Sequence, residues 1–125
     1  MVEYSYQQKL AIMRILLDII HADGIIDARE KFFFDQLKDL FELTDEDHEA
    51  VRQKNSLLAL LQIRDFNEDQ KMGFALYMSK MIVVDKDINT TNELAIYNVV
   101  SEFCGIDKGF EENFENSEIE ELSRS

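Results

Sequence analysis

The residues of this chain best suited to chemistry are carboxylates gathered in two short stretches. Asp23, Asp27 and Glu30 lie within one eight-residue turn. Asp85 and Asp87 form a second cluster, to which Asn89 and Glu93 add a neutral and a charged oxygen. Oxygen ligands so closely spaced suit a hard divalent cation, and calcium or magnesium are the candidates. No cofactor is demanded by the residues. Capping accounts for two of the same side chains: Asp27 suits the N-cap of a following helix, and Glu30 suits the return arm of a capping box. Asp23 fits capping less well, because an acid at the end of the preceding helix opposes its dipole. Structural elbow, metal site and partner contact therefore stay open, with the structural role weighing most. The spacing is not that of an EF-hand, which places acids at alternate positions and a Glu at the twelfth.

Other reactive groups are few. His21, at the end of an apolar helix, suits a helix-end role better than a ligand role. Cys104 is the lone cysteine and sits among apolar neighbours, as a small core residue would. Glycine-rich phosphate loops and nucleophile elbows are absent from the sequence, so an enzyme is not expected. Phe32, Phe33 and Phe34 cannot share one face, since successive helical residues turn by about 100°. Phe33 and Phe34 go with Leu37, Leu40 and Phe41, whereas Phe32 falls toward Arg29, Asp35 and Gln36. It is either packed between two halves of the molecule, the weightier alternative, or the anchor for a protein partner.

These side chains need elements to position them, and composition names the class. The 125 residues contain no Pro, no Trp and only four Gly, with 46% apolar and 31% charged residues. So few helix breakers predict an all-α fold in one domain spanning 1–125. The formal net charge of -13 argues against nucleic-acid binding, since phosphates would be repelled. A single Cys excludes a disulfide scaffold, and no apolar run is long enough for a membrane span. Without a signal-peptide pattern, a cytoplasmic location is expected. Helices are predicted from about Tyr4 to Ala22, from Asp27 through Phe41, and from Thr44 onward. Asp45 to Arg64 forms one long helix or two short ones, with a break at Asn55-Ser56 and core contacts from Leu57 to Ile63. Another runs from Asn67 to Val84, and a last long one runs from Asn89 or Thr90 to Phe103, stopped by Gly105. The tail carries Phe110 and Phe114 at helical spacing, suggesting a short docked turn or helix before a frayed end over 115–125.

The chain also overlays on itself at an offset of 62, over about 4–47 and 66–109. Gln8-Lys9 meets Gln70-Lys71, Ile20 meets Ile82, Asp23 meets Asp85, Ile26 meets Ile88 and Phe41 meets Phe103. Each half reads as helix, acidic elbow, helix, so two pseudo-symmetric hairpins are expected around a helical connection, with a short C-terminal helix. Ala22-Asp23-Gly24-Ile25-Ile26-Asp27-Ala28-Arg29-Glu30 resembles the acidic elbow of the tellurite-resistance TerB-like family, and Val84 to Ala95 looks like that family's other elbow. Lys86 replaces its glycine, Asn89 replaces an acid, and Asn92 stands at the spacing of Glu30 with Glu93 one step on. The resemblance implies a small, acidic, non-enzymatic interaction module for stress or tellurite resistance. It further implies a protein partner, membrane-associated in some members, and divalent-metal responsiveness. The alternative is an acidic decoy that occupies a basic, nucleic-acid-binding protein surface by charge mimicry.

Overall fold

A computed structural model describes residues 2–22, 24, 27–83 and 91–106. Those residues form six helices and no strand, so the all-α class expected of a TerB-like bundle holds. In order they are α1 (Tyr6–Ile20), α2 (Ala28–Leu40), α3 (Asp45–Gln53), α4 (Ser56–Arg64), α5 (Glu68–Val83) and α6 (Thr91–Cys104). Each start has a local cause. Ser5 and Gln8 close a capping box on α1, and Thr44 and Asp47 close another on α3. Asp27 caps α2 by accepting from Arg29 N at 2.8 Å, and Asn55 caps α4 by accepting from Leu58 N at 3.1 Å. Asn55 thus divides the middle of the chain into two helices.

α1 is the axis of the fold and packs against all five other helices. Its apolar residues run nearly all round, so the buried set from Leu10 to Ile20 needs neighbours on every side. The one polar edge carries the ion pair of Arg14 and Asp18, and Ser56 Oγ donates to Asp18 at 2.7 Å from α4. Leu16 and Met78 are both fully buried, one on α1 and one on α5. The ring cluster of Tyr4, Phe41, Phe66 and Tyr77 closes one side of the core.

The starts of α1 and α5 touch. Gln8 and Gln70 exchange side-chain hydrogen bonds, with the stronger running from Gln70 Nε2 to Gln8 Oε1 at 3.1 Å. Asn67 and Gln70 bond each other's backbone N–H just as Ser5 and Gln8 do. In the second helices the offset becomes 63. Glu30, Phe34, Leu37, Phe41 and Leu43 are buried, and so are Glu93, Tyr97, Val100, Cys104 and Ile106. Backbone conformation follows the same register: Glu42 has φ 59° and Gly105 has φ 70°. Leu43 N donates to Lys38 O, and Ile106 N donates to Ser101 O.

The gapless pairing of Phe41 with Phe103 is therefore replaced: Cys104 holds the position of Phe41, and Phe103 is 38% exposed. α5 has 16 residues against 15 in α1, and seven residues follow each before the next helix starts, which accounts for the shift. Several expected core residues also lie at the surface, namely Leu40, Leu57, Leu58 and Met72. Their helices, α2, α4 and α5, each contact α1 and cover it with other residues. The expected C-terminal helix falls outside the described residues.

Candidate functional site

The first elbow joins α1 to α2. His21 is the C-cap of α1 and is exposed, and Gly24 N donates to His21 O at 3.1 Å with Gly24 at φ 76°. That left-handed conformation is one glycine adopts without penalty. Asp27 is held by Arg29 twice, through the backbone N–H and through the guanidinium at 3.2 Å. The guanidinium hydrogen bond, assisted by backbone N–H donors, lowers the Asp27 carboxyl below its ordinary range. Asp27 is thus anionic and locally compensated, as a cap should be.

Glu30 behaves differently. It is 0% exposed, and Glu93, its counterpart on α6, is 1% exposed. Capping does not require a carboxylate to leave water. Burying one is costly unless charge or donors meet it inside the protein. Asn92 Nδ2, beside Glu93, donates to Ala22 O at 3.5 Å, so the start of α6 reaches the first elbow.

Asp23, Asp85, Asp87 and Asn89 lie outside the described residues, so their share in the cluster is open. Among the described residues, no group of three metal-binding side chains converges. The burial of Glu30 and Glu93 was legible in one signal that capping logic obscured. Glu30 sits on the apolar stripe of Phe34, Leu37 and Phe41, and Glu93 sits on the stripe of Tyr97, Val100 and Cys104.

Phe32 is 64% exposed, so it does not pack between halves, and Leu94 nearby in the repeat pattern is exposed too. It projects from the first turns of α2, just beyond the elbow. Cys104 is buried, and that burial pushes its thiol up to about 11. A thiol so protonated at neutral pH is a poor nucleophile. No described helix is long and apolar enough to cross a membrane.

No curated protein matches the chain. A crystal structure of a protein of unknown function from Porphyromonas gingivalis W83 is similar, with a TM-score of 0.73 and 25% identity, over 86% of this chain and 91% of that one. The family model described as Tellurite resistance protein TerB matches residues 1–53, which include α1, the first elbow, α2 and α3. The likeness of this chain to the TerB-like family is therefore shown, and those 53 residues carry it.

Proposed function

We propose that this chain is a non-enzymatic, cytoplasmic TerB-like interaction module for stress or tellurite resistance, with a divalent-cation site between its two elbows. The single observation that supports the site is the pair of fully buried carboxylates, Glu30 and Glu93, one flanking each elbow. The contact from Asn92 to Ala22 O, which joins the start of α6 to the end of α1, supports this reading. In a chain of net charge -13, a hard cation is a fitting ligand for carboxylates withdrawn from water. Calcium or magnesium would be held by Glu30 and Glu93, with Asp23, Asp85, Asp87 and Asn89 as further ligands and Asp27 kept as the cap. Phe32 would anchor a protein partner beside the site, so that cation binding and partner binding share the start of α2. A membrane-associated partner is compatible with this arrangement. Inert Cys104 chemistry supports the non-enzymatic part.

The test is a thermal melt with calcium or magnesium, matched in ionic strength by a sodium salt. Binding to the folded state alone stabilises by about 2.7 kcal/mol at a hundredfold excess over Kd. Divalent ions should raise the melting temperature beyond sodium, and Glu30→Gln together with Glu93→Gln should remove that excess. A rise that sodium reproduces, or one that survives both substitutions, would reduce the elbows to capping devices.

A further inference from the structure

A second surface lies away from the elbows, on α4. This helix carries Leu57, Leu58, Ala59, Leu60, Leu61 and Ile63 and is apolar nearly all round. A helix of that kind is normally covered on every side. α4 packs mainly on α1 and α6, where Ala59 and Ile63 are buried, whereas Leu57 and Leu58 are 59% and 58% exposed. Leu57, Leu61 and Leu58 fill an arc about 100° wide on the side away from Ala59 and Ile63. Val99, exposed on α6 across a cavity of about 320 Å³, extends the apolar surface. Exposed apolar surface of this kind commonly marks an interaction site.

Charge narrows the occupant to a second copy. Two chains of net charge -13 repel each other over most of their surface, yet Val51 to Arg64 holds no acid, so here two copies can meet. Asp18, the acid beside the cavity, is already paired with Arg14. The two ends of α4 also complement each other. Lys54 stands just before the N-cap Asn55, and Asp65 is the C-cap. Among the described residues, neither Lys54 nor Asp65 has an ion-pair partner. Lys54 is half-buried, and that burial lowers its ammonium below the ordinary range. α4 has nine residues and is about 14 Å long, so an antiparallel second α4 brings Lys54 of each copy to Asp65 of the other. The same arrangement sets each helix N-terminus against the other's C-terminus, as the helix dipoles favour.

We propose that the outer face of α4 is the interface of a two-fold dimer of this chain, with the two α4 helices antiparallel. Leu57, Leu58 and Leu61 pack across the axis, and Lys54 of each copy pairs with Asp65 of the other. Such a contact uses the same patch on both copies and closes, so it stops at two. With little more than one short helix buried per copy, the area falls in the class of transient interfaces, below about 1,200 Å² in total. The dimer is accordingly weak, with Kd between about 1 μM and about 1 mM. The proposal is independent of the cation site, since it uses no elbow residue.

The test is sedimentation velocity of the full chain at rising concentration in about 0.15 M sodium chloride, where the screening length is about 8 Å. The parent chain should pass from monomer to dimer. Leu57→Glu and Leu58→Glu should each weaken association about tenfold or more, while Phe32→Glu, on α2, should leave it unchanged. Lys54→Glu alone and Asp65→Lys alone should each weaken it several-fold, because each places like charges together twice. Mixing those two variants should restore the dimer, since both contacts of a mixed pair are again opposite in sign. Circular dichroism checks that each variant is folded. A parent chain still monomeric at about 1 mM overturns the proposal. So does a dimer that survives both leucine substitutions, or one lost in Phe32→Glu instead. Charge variants that gain nothing on mixing also overturn it, because the two α4 helices would then not lie antiparallel across the axis.

Discussion

At Gly73 a single methyl group decides the sign of a substitution. An added Cβ would stand 2.3 Å from Tyr4 Oη, a distance no real contact tolerates. Tyr4 cannot easily yield. Its hydroxyl donates to Gln70 O at 2.9 Å, its ring is wedged against Phe41 and Phe66, and burial raises its phenol well above the ordinary range. Overpacking of this kind costs about 1–3 kcal/mol, while Ala gains about 1 kcal/mol over Gly inside a helix. Gly73→Ala should therefore destabilise by roughly 1 kcal/mol in urea unfolding. Removing the hydroxyl changes the balance, because the next atom, Tyr4 Cζ, is at 3.6 Å, an ordinary contact. In a Tyr4→Phe background the same Gly73→Ala should stabilise by about 0.5–1 kcal/mol. Equal effects in both backgrounds would show that Oη is not the obstacle.

The ends of α2 and α6 repeat one geometry with different residues. Glu42 holds φ 59° where Gly105 holds φ 70°, and each precedes a buried residue whose N–H closes the helix end. A left-handed residue with a Cβ costs about 1–2 kcal/mol, against the smaller entropy penalty of glycine. Glu42→Gly should stabilise by roughly 0.5–1 kcal/mol, and Gly105→Ala should cost about 1 kcal/mol, both read from chemical denaturation. No gain at Glu42 would mean that its side chain supports the turn. Helix starts were legible because caps are local: Asp27, Thr44, Asn55 and Asn67 each announce a turn within three residues. The register of α6 was not, because a helix longer by one residue leaves no local mark, and the identity of Phe41 with Phe103 favoured the gapless pairing. The exposed Leu57 and Leu58 were misread for a related reason. α4 is apolar on several faces, and sequence alone does not say which face α1 takes. Of the candidate site, Asp27 was legible as a cap, while the burial of Glu30 and Glu93 showed only in the apolar stripes they share with Phe34 and Leu37 and with Tyr97 and Val100.

Over the whole molecule, 26 acids face 13 bases, and the surplus has no local answer. Ion pairs such as Lys31 with Asp35, Lys38 with Asp45 and Arg52 with Glu49 lie at the surface, where water screens them. A domain of this length has a radius of gyration of about 14 Å. In about 0.01 M salt the screening length is about 30 Å, so every acid feels every other; in about 0.1 M salt it is about 10 Å, and only neighbours interact. Those neighbours are largely the favourable pairs, because Asp27 and Asp45 sit beside Arg29 and Lys38, which hold their carboxyls below the ordinary range. Screening therefore removes more repulsion than attraction, and the melting temperature should rise with sodium chloride between those concentrations. A fall would mean that the local pairs outweigh the global surplus. The same titration also separates the two electrostatic effects assigned to this chain. General repulsion is spread over many acids, so the sodium response should change little in Glu30→Gln or Glu93→Gln. A cation site depends on named ligands, so the divalent response should vanish in those variants while the sodium response persists.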